Sequence, residues 1–413
     1  MRSFPLFFCV ALPILFATGN AGEPDWNQFL GPNHNNKSFS TGIARSWSEE
    51  GPPLLWKIDH LGAAYSNLAF FGKTMYTMGD VGKECFLFSL DAETGDTHWA
   101  VVVGKSGNPG QRNGPRATPV TDGQRVFAYG QYGDLLCVDA ETGKKIWSKN
   151  VAEDWGAKFA NVWGYSASPI LDGEQLVLPI GGEGGTVIAF DKNGNVIWRS
   201  AELTDGAPYP PVVPAVFDGV RQYILLSNSG LYGMDASNGK ILWGTERPSV
   251  RPVCTPAVVK DDLVLVHSAD ELGTNIYRIT KRDEKFAVEQ IFEDRTIKNL
   301  HRGNILIGDY VYFSADGSFT CMDITSGKIA WAVKNVVKFS PTYVDGLLVL
   351  RSEAGDGPVV LVEPSPVGYK ELGRFDRPER TDFDSWTYPV VVNGRLYLRD
   401  QHILFCYDLM PNR

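Results

Sequence analysis

Cysteine is scarce in this chain: 413 residues contain only Cys9, Cys85, Cys137, Cys254, Cys321 and Cys406. No two are adjacent, and no Cys-x-x-Cys pair or His-Glu-x-x-His run occurs, so the ligand spacing of a zinc site and the pairing of a redox dithiol are both missing. Positive charge is also short. Lys and Arg total 39 against 48 Asp and Glu, a net charge of −9, and no basic cluster interrupts the deficit. Phosphate binding needs a basic face, which excludes nucleic acid as a partner. Past the N-terminal segment no apolar run is long enough to cross a bilayer, so no stable membrane span is expected.

That N-terminal segment, residues 1–21, has Arg2, an apolar core from Phe4 to Phe16 broken by Pro5 and Pro13, and small residues at Ala17, Gly19 and Ala21. It reads as a cleaved Sec-type signal peptide. Cys9 lies inside the apolar core without the small residues that precede a lipidated cysteine, so there is no lipobox. The expected location is periplasmic or secreted.

The chain also repeats itself. Asp-x-x-x-Gly-x-x-x-Trp occurs as Asp91…Gly95…Trp99, Asp139…Gly143…Trp147, Asp235…Gly239…Trp243 and Asp323…Gly327…Trp331, with a copy one residue shorter at Asp191…Gly194…Trp198. Successive aspartates stand 48, 52, 44 and then 88 residues apart, the last being twice 44. Each repeat carries a second marker, a tight turn between apolar runs: Asp122-Gly123, Asp172-Gly173, Asp218-Gly219, Asp345-Gly346 and Asn393-Gly394, with Phe71-Gly72, Asp261-Asp262 and Gly308-Asp309 as variants. Asp-Gly and Asn-Gly tolerate the positive φ angles of a type I′ turn, so each marks a β-hairpin. Eight hairpins, each followed by a third strand and a fourth, predict an all-β, eight-bladed β-propeller.

The residue two before the aspartate is small throughout (Ser89, Cys137, Ala189, Gly233, Cys321, Cys406), which leaves room for an indole to pack over the strand. Three cysteines share that position in different blades, too far apart for the roughly 5.5 Å Cα separation of a disulfide, so they read as buried packers. Blade five, near Tyr277 to Phe292, loses the Asp…Trp signature, and blade seven has a Pro-rich turn at Pro364 and Pro366. The last repeat, around Asp408, has no fourth strand of its own. The run around Trp56 looks like a fourth strand without a blade, and pairing the two closes the ring. The domain reading is therefore 1–21 signal peptide, 22–50 an extension packing on the ring, and 51–413 propeller.

The segment from Cys137 to Trp147, small-x-Asp-x-x-Thr-Gly-x-x-x-Trp, resembles the pyrroloquinoline quinone (PQQ)-like repeat. That repeat builds the propeller of quinoprotein alcohol dehydrogenases and the non-enzymatic propeller of the bacterial outer-membrane assembly machinery. The resemblance covers Trp56 to Asp408 and implies the fold; the motif is a packing device and carries no chemistry of its own. The dehydrogenases hold PQQ and calcium on the axis, many beneath a pair of adjacent cysteines. This chain lacks that pair and is well short of their length, so no catalytic and no metal-ligating residue is carried over.

Any functional face would be built by the loops that lead from one blade's outer strand to the next blade's inner strand. Those loops contain Arg112 and Arg116, Trp163 and Tyr165, His301 and Arg302, and Trp386, the candidate channel-mouth residues. Aromatics with arginines suit a flat anionic ligand or a peptide or glycan. Alternatively, Trp163 and Trp386 plug the channel or staple loops to its rim. Glu153-Asp154 beside Trp155 lack the flanking oxygen ligands a calcium site needs. The reading that follows is a non-catalytic binding or scaffold module for a protein or extracellular polymer, with no cofactor. Its alternative is a compact PQQ- and calcium-dependent dehydrogenase acting on an alcohol or sugar.

Overall fold

The computed structural model describes residues 23–107, 114–160, 162–249, 257–300, 302–315, 317–334, 338–353 and 357–411. The leader, Arg112, Cys254 and His301 lie outside the described residues. Eight four-stranded antiparallel sheets make up the chain, and in seven of them the strands are hydrogen-bonded in sequence order. In the eighth, Val390–Val392, Arg395–Asp400 and Ile403–Asp408 are completed by Leu54–Ile58 from the start of the ring. Trp56 stands opposite Cys406 and Ile58 opposite Leu404. The two ends of the propeller thus close one blade, as expected.

One register recurs in every blade. The aromatic of the outer strand faces the small residue of the third: Ser89 opposite Trp99, Cys137 opposite Trp147, Ala189 opposite Trp198, Gly233 opposite Trp243 and Cys321 opposite Trp331. A β-bulge follows immediately after each of these pairs. The extra residue turns the strand so that the indole leaves its own sheet and lies against the next blade. There it meets the motif glycine: a Cβ on Gly143 would come within 2.7 Å of Trp99, on Gly239 within 2.3 Å of Trp198, and on Gly95 within 3.0 Å of Trp56. These glycines also sit at positive φ, so both backbone and contact demand the missing side chain. Three indole N–H groups donate onward to main-chain carbonyls of the next blade: Trp99 to Ala140 at 3.2 Å, Trp147 to Lys192 at 3.0 Å and Trp331 to Ser365. The motif aspartate folds the turn itself. Asp139 Oδ1 accepts from the Thr142 N–H at 2.9 Å and its hydroxyl at 2.6 Å.

The drifted blades keep this contact with other residues. In blade five Phe292 faces Ile276 and packs on Gly327, where a Cβ would lie 2.1 Å from its ring. In blade seven the order inverts: Leu361 is on the third strand and Gly373 on the fourth. The space over Gly373 is filled by the backbone and Cβ of Trp47 from the N-terminal extension, whose main-chain N–H donates to Leu372 O at 3.3 Å. The Pro-rich turn of that blade supplies Ser365 O, which accepts from the Trp331 indole at 2.7 Å.

The hairpin turns divide into two kinds. Asp218-Gly219, Asp345-Gly346 and Asn393-Gly394 have both central residues at positive φ, as a type I′ turn requires. At Gly72, Gly173 and Gly308 the glycine alone is positive and takes the first central position, a type II′ arrangement. The Asp172-Gly173 turn is therefore centred one residue later than its dipeptide suggests. At Asp122-Gly123 the connection is longer, spanning 122–124.

First strands of neighbouring blades pack on one another and so line the axis. The extension runs across their hairpin-side ends. The Phe70 N–H donates to Trp26 O at 2.7 Å, Thr121 N–H to Asn27 O at 3.0 Å, and Leu171 N–H to Gln28 Oε1 at 3.0 Å. Asn36 bonds Thr342 Oγ1 on the far side, and Phe29 reaches along the axis to stack on Tyr388, 5.5 Å between centroids.

The seam packing sets one measurable energetic consequence, and the burial of two histidines sets a second. Trp198→Ala should cost roughly 3–5 kcal/mol, and Gly239→Ala about 1–3 kcal/mol. In a denaturation double-mutant cycle the two should couple by at least about 1 kcal/mol, because the glycine's penalty is largely a clash with that indole. The second concerns pH. Burial, reinforced by the Arg221 charge and opposed by Asp172, holds His34 down to about 4. Burial, with Arg247 nearby, holds His267 down to about 3. Between pH 6.5 and those values the unfolded chain takes protons that the folded chain refuses, so stability should fall as pH drops through that window. Melting temperature against pH should slope less in His34→Asn and His267→Gln than in the parent.

Candidate functional site

The face opposite the hairpins is formed by the loops entering each inner strand and the short turns between second and third strands. Side chains staple the two together. Asp205 Oδ2 accepts from Ser227 and Ser229 hydroxyls, each at 2.5 Å, and Asp270 Oδ2 accepts from Ser249 at 2.5 Å. Asp80 accepts from Gln131 Nε2 at 3.1 Å and from the Gly107 N–H at 2.7 Å. Neighbouring entry points are also linked: Asn67 N–H donates to Thr118 Oγ1 and Thr118 N–H to Ser168 Oγ.

Among the candidate residues, Arg116 and Trp386 are brought together, and by a residue that sequence reasoning missed. Tyr65, from the loop entering blade one, stacks on Trp386 with centroids 4.5 Å apart and carries the Arg116 guanidinium 4.9 Å above its ring. Three loops from three successive blade junctions therefore meet in one aromatic-cationic stack. A signal for Tyr65 was present: Tyr65-Ser66 and Tyr165-Ser166 precede their inner strands in the same way. Trp163 is half-buried and lies apart from that stack's ring contacts, tilted against Tyr209 at 5.2 Å. Tyr165 turns into the core between blades two and three, 2% exposed, against Tyr129 at 5.4 Å. Burial drives its phenol well above the usual range. Arg302 is also turned inward, with a guanidinium N–H donating to Glu353 Oε1 at 2.8 Å. Glu153 and Asp154 occupy the first turn of a short helix, Val151–Trp155, where Asp154 accepts from the Asn150 N–H at 3.0 Å.

Beneath the loop that carries Trp386 lies a buried ionic network with no counterpart in the repeat. Asp400, 1% exposed, accepts from Arg377 at 2.9 Å, from Ser385 at 2.7 Å and from Thr381 at 2.9 Å. Arg351 donates to Ser385 Oγ, Thr387 Oγ1 and, at 2.8 Å, Thr387 O. Burial opposes ionisation of Asp400, but the charges of Arg351 and Arg377 hold its carboxyl below the ordinary range. Burial lowers Arg351 and Arg399 to about 9. The network fixes the loop from 376 to 389 to the second strands of blades seven and eight. Asp400→Asn strands two guanidiniums in the core, so it should cost about 3–5 kcal/mol, measurable by chemical denaturation.

The Tyr65 ring, the aromatic surface at the mouth, is already stacked on Trp386 and covered by Arg116. Among the described residues no group of three or more His, Cys, Asp or Glu could hold a calcium ion. Several apolar side chains of this face are exposed among charged neighbours such as Glu379, Arg380 and Asp382. Phe383 is 66% exposed, Val162 56%, and Phe159 and Leu300 37% each.

The outer membrane protein assembly factor BamB of Moranella endobia is similar to this protein, 24% identical over 275 residues, 62% of this chain and 67% of that protein. The Yersinia pestis protein of that name is 25% identical over 305 residues, 68% of this chain and 71% of its own length. Two solved structures share the fold. BamB from Moraxella catarrhalis superposes with a TM-score of 0.62 at 14% identity, covering 86% of this chain and 99% of that one. Quinohemoprotein alcohol dehydrogenase from Comamonas testosteroni gives 0.65 at 13%, covering 94% and 81%. Both likenesses speak for the fold alone. The family model described as outer membrane protein assembly factor BamB matches residues 86–333, more than half of the sequence, and the chain belongs to that family.

Proposed function

We propose that this protein is a non-catalytic, protein-binding propeller that works on the periplasmic side of the envelope in outer-membrane protein assembly. Family membership and the names of its relatives support the assembly role. The N-terminal leader supports export to that compartment. The loop face is the binding surface in this reading. The observation that carries it is the set of exposed apolar side chains, Phe383 and Val162 foremost, standing on loops that hydrogen bonds and a buried ionic network hold in place. A stiff surface with apolar knobs and the Arg116–Tyr65–Trp386 stack suits a folded protein partner, since little ordering entropy opposes docking.

Photo-crosslinking tests the face directly. A benzoylphenylalanine at position 383 or 162 should capture an envelope assembly protein in cells. Placed at Val367, which is 94% exposed but lies in a turn at the opposite end of blade seven, it should not. Equal capture from both faces, or from position 367 alone, would refute the assignment. Titration with PQQ and calcium should leave no visible absorbance after desalting. Retained chromophore with dye reduction on adding alcohols or aldoses would overturn the non-catalytic reading.

A further inference from the structure

Three Asn-Gly pairs stand in turns among the described residues: Asn193-Gly194, Asn238-Gly239 and Asn393-Gly394. In such a pair the asparagine amide is open to attack by the following main-chain nitrogen, because glycine has no side chain to screen it and bends freely. The nitrogen must shed its proton to react, so a glycine N–H held in a hydrogen bond is protected. Each of the three is held, but by different partners. Gly194 N–H donates to Asp191 O at 2.9 Å and Gly239 N–H to Asp235 O at 2.8 Å, both inside their own turns. Trp147 and Trp198 of the preceding blades also cover these two glycines. At Gly394 the N–H donates at 3.1 Å to Ser40 Oγ, a buried hydroxyl of the N-terminal extension.

A clasp of side chains holds that hydroxyl in place. Ser40 Oγ donates to Glu23 Oε1 at 2.7 Å, and Ser40 N–H donates to Ser38 Oγ at 3.1 Å. Glu23 Oε2 accepts from Asn393 N–H at 2.7 Å. The extension therefore holds both main-chain N–H groups of this turn, while Asn393 itself is exposed to water. The matching turn of blade seven shows what a carboxylate does there. Asp345-Gly346 has the same pair of positive φ angles, and Asp345 Oδ2 accepts from the Gly42 and Ile43 N–H groups at 3.0 and 3.3 Å. An aspartate fits a turn of this kind. In blade seven it meets main-chain donors of the extension; at position 393 it would stand beside the Glu23 carboxylate.

We propose that Asn393 is a deamidation site gated by the N-terminal extension, and that its product loosens the extension in turn. With the clasp open, the Gly394 nitrogen attacks the Asn393 side-chain carbonyl carbon. A carbon–nitrogen bond forms, the amide nitrogen leaves with the displaced proton as ammonia, and a succinimide ring remains. Water, the sole co-reactant, opens the ring to an aspartyl or an isoaspartyl residue. The aspartyl form sets a second negative charge beside Glu23, and neighbouring like charges oppose each other. The isoaspartyl form lengthens the backbone by one carbon, which breaks the two-residue hairpin turn. Either product disfavours reclosing, so the change runs one way. The site lies at the opposite end of the axis from the loop face and is independent of the binding role assigned there.

The test follows amide loss at all three pairs by peptide mass mapping of the full chain, aged in mildly alkaline buffer, with isoaspartyl methyltransferase labelling of the isoaspartyl product. Ser40→Ala removes the acceptor for Gly394 and should speed amide loss at Asn393 by at least about tenfold. Asn193 and Asn238 should keep their parental rates. Equal acceleration at all three sites, or an unchanged rate at Asn393, would overturn the gate. The return effect is read by hydrogen exchange across residues 23–40 in Asn393→Asp, a substitution that blades four and seven already carry at this turn position as Asp218 and Asp345. Exchange there should quicken. In a Glu23→Gln background the same substitution should add nothing, because the opposing charge is gone. Parental exchange in Asn393→Asp, or equal quickening with and without the Glu23 carboxylate, refutes the return effect.

Discussion

The ring depends on one contact made around its circumference: an outer-strand aromatic leaves its own blade at a β-bulge and lies on a glycine of the next. The small residue across the strand, the bulge, the left-handed glycine and the turn-forming aspartate all serve that single placement. Dispersion and apolar burial at such a seam are additive along the ring, yet each blade alone would leave both its faces in water. Because the interaction is between neighbours, a blade can lose the motif if any other group fills the same space. Phe292 does so from within blade five, and Trp47 does so for blade seven from more than three hundred residues away in sequence.

That distinction explains how much was legible in the amino-acid sequence. The eight blades, the closure of the last by Leu54–Ile58 and the small residues opposite each indole were readable because they recur at a fixed spacing. What recurs is local, and a spacing argument finds local things. Trp47 stood in plain sight as an aromatic in a polar segment, but nothing in its neighbourhood names Gly373 as its seat. The turn types divided for a similar reason. Asp172-Gly173 and Asp345-Gly346 are the same dipeptide, and only the register of the flanking strands decides which residue comes first in the turn.

At the loop face the sequence shows residue types without showing how they assemble. Arg116 and Trp386 belong to one stack, but their common partner Tyr65 lies on a loop that was not among those weighed. Tyr165 and Arg302 were chosen for being aromatic and cationic, and the fold uses both as interior groups. A charge or a ring in a loop announces an interaction without saying whether solvent, a ligand or the core receives it. The Arg351–Asp400–Arg377 network makes the same point in reverse. Its members are dispersed across blades seven and eight and carry no motif, yet they hold the loop that presents Phe383 and Trp386.

Closing the last blade with the first strand has a consequence for how the protein is made. Leu54–Ile58 emerges early in synthesis, and its pairing partner Ile403–Asp408 is among the last strands to appear. The seam between head and tail therefore stays open until Ile403–Asp408 has been made. A ring that cannot seal while the chain is growing becomes a rigid body only once head and tail have met.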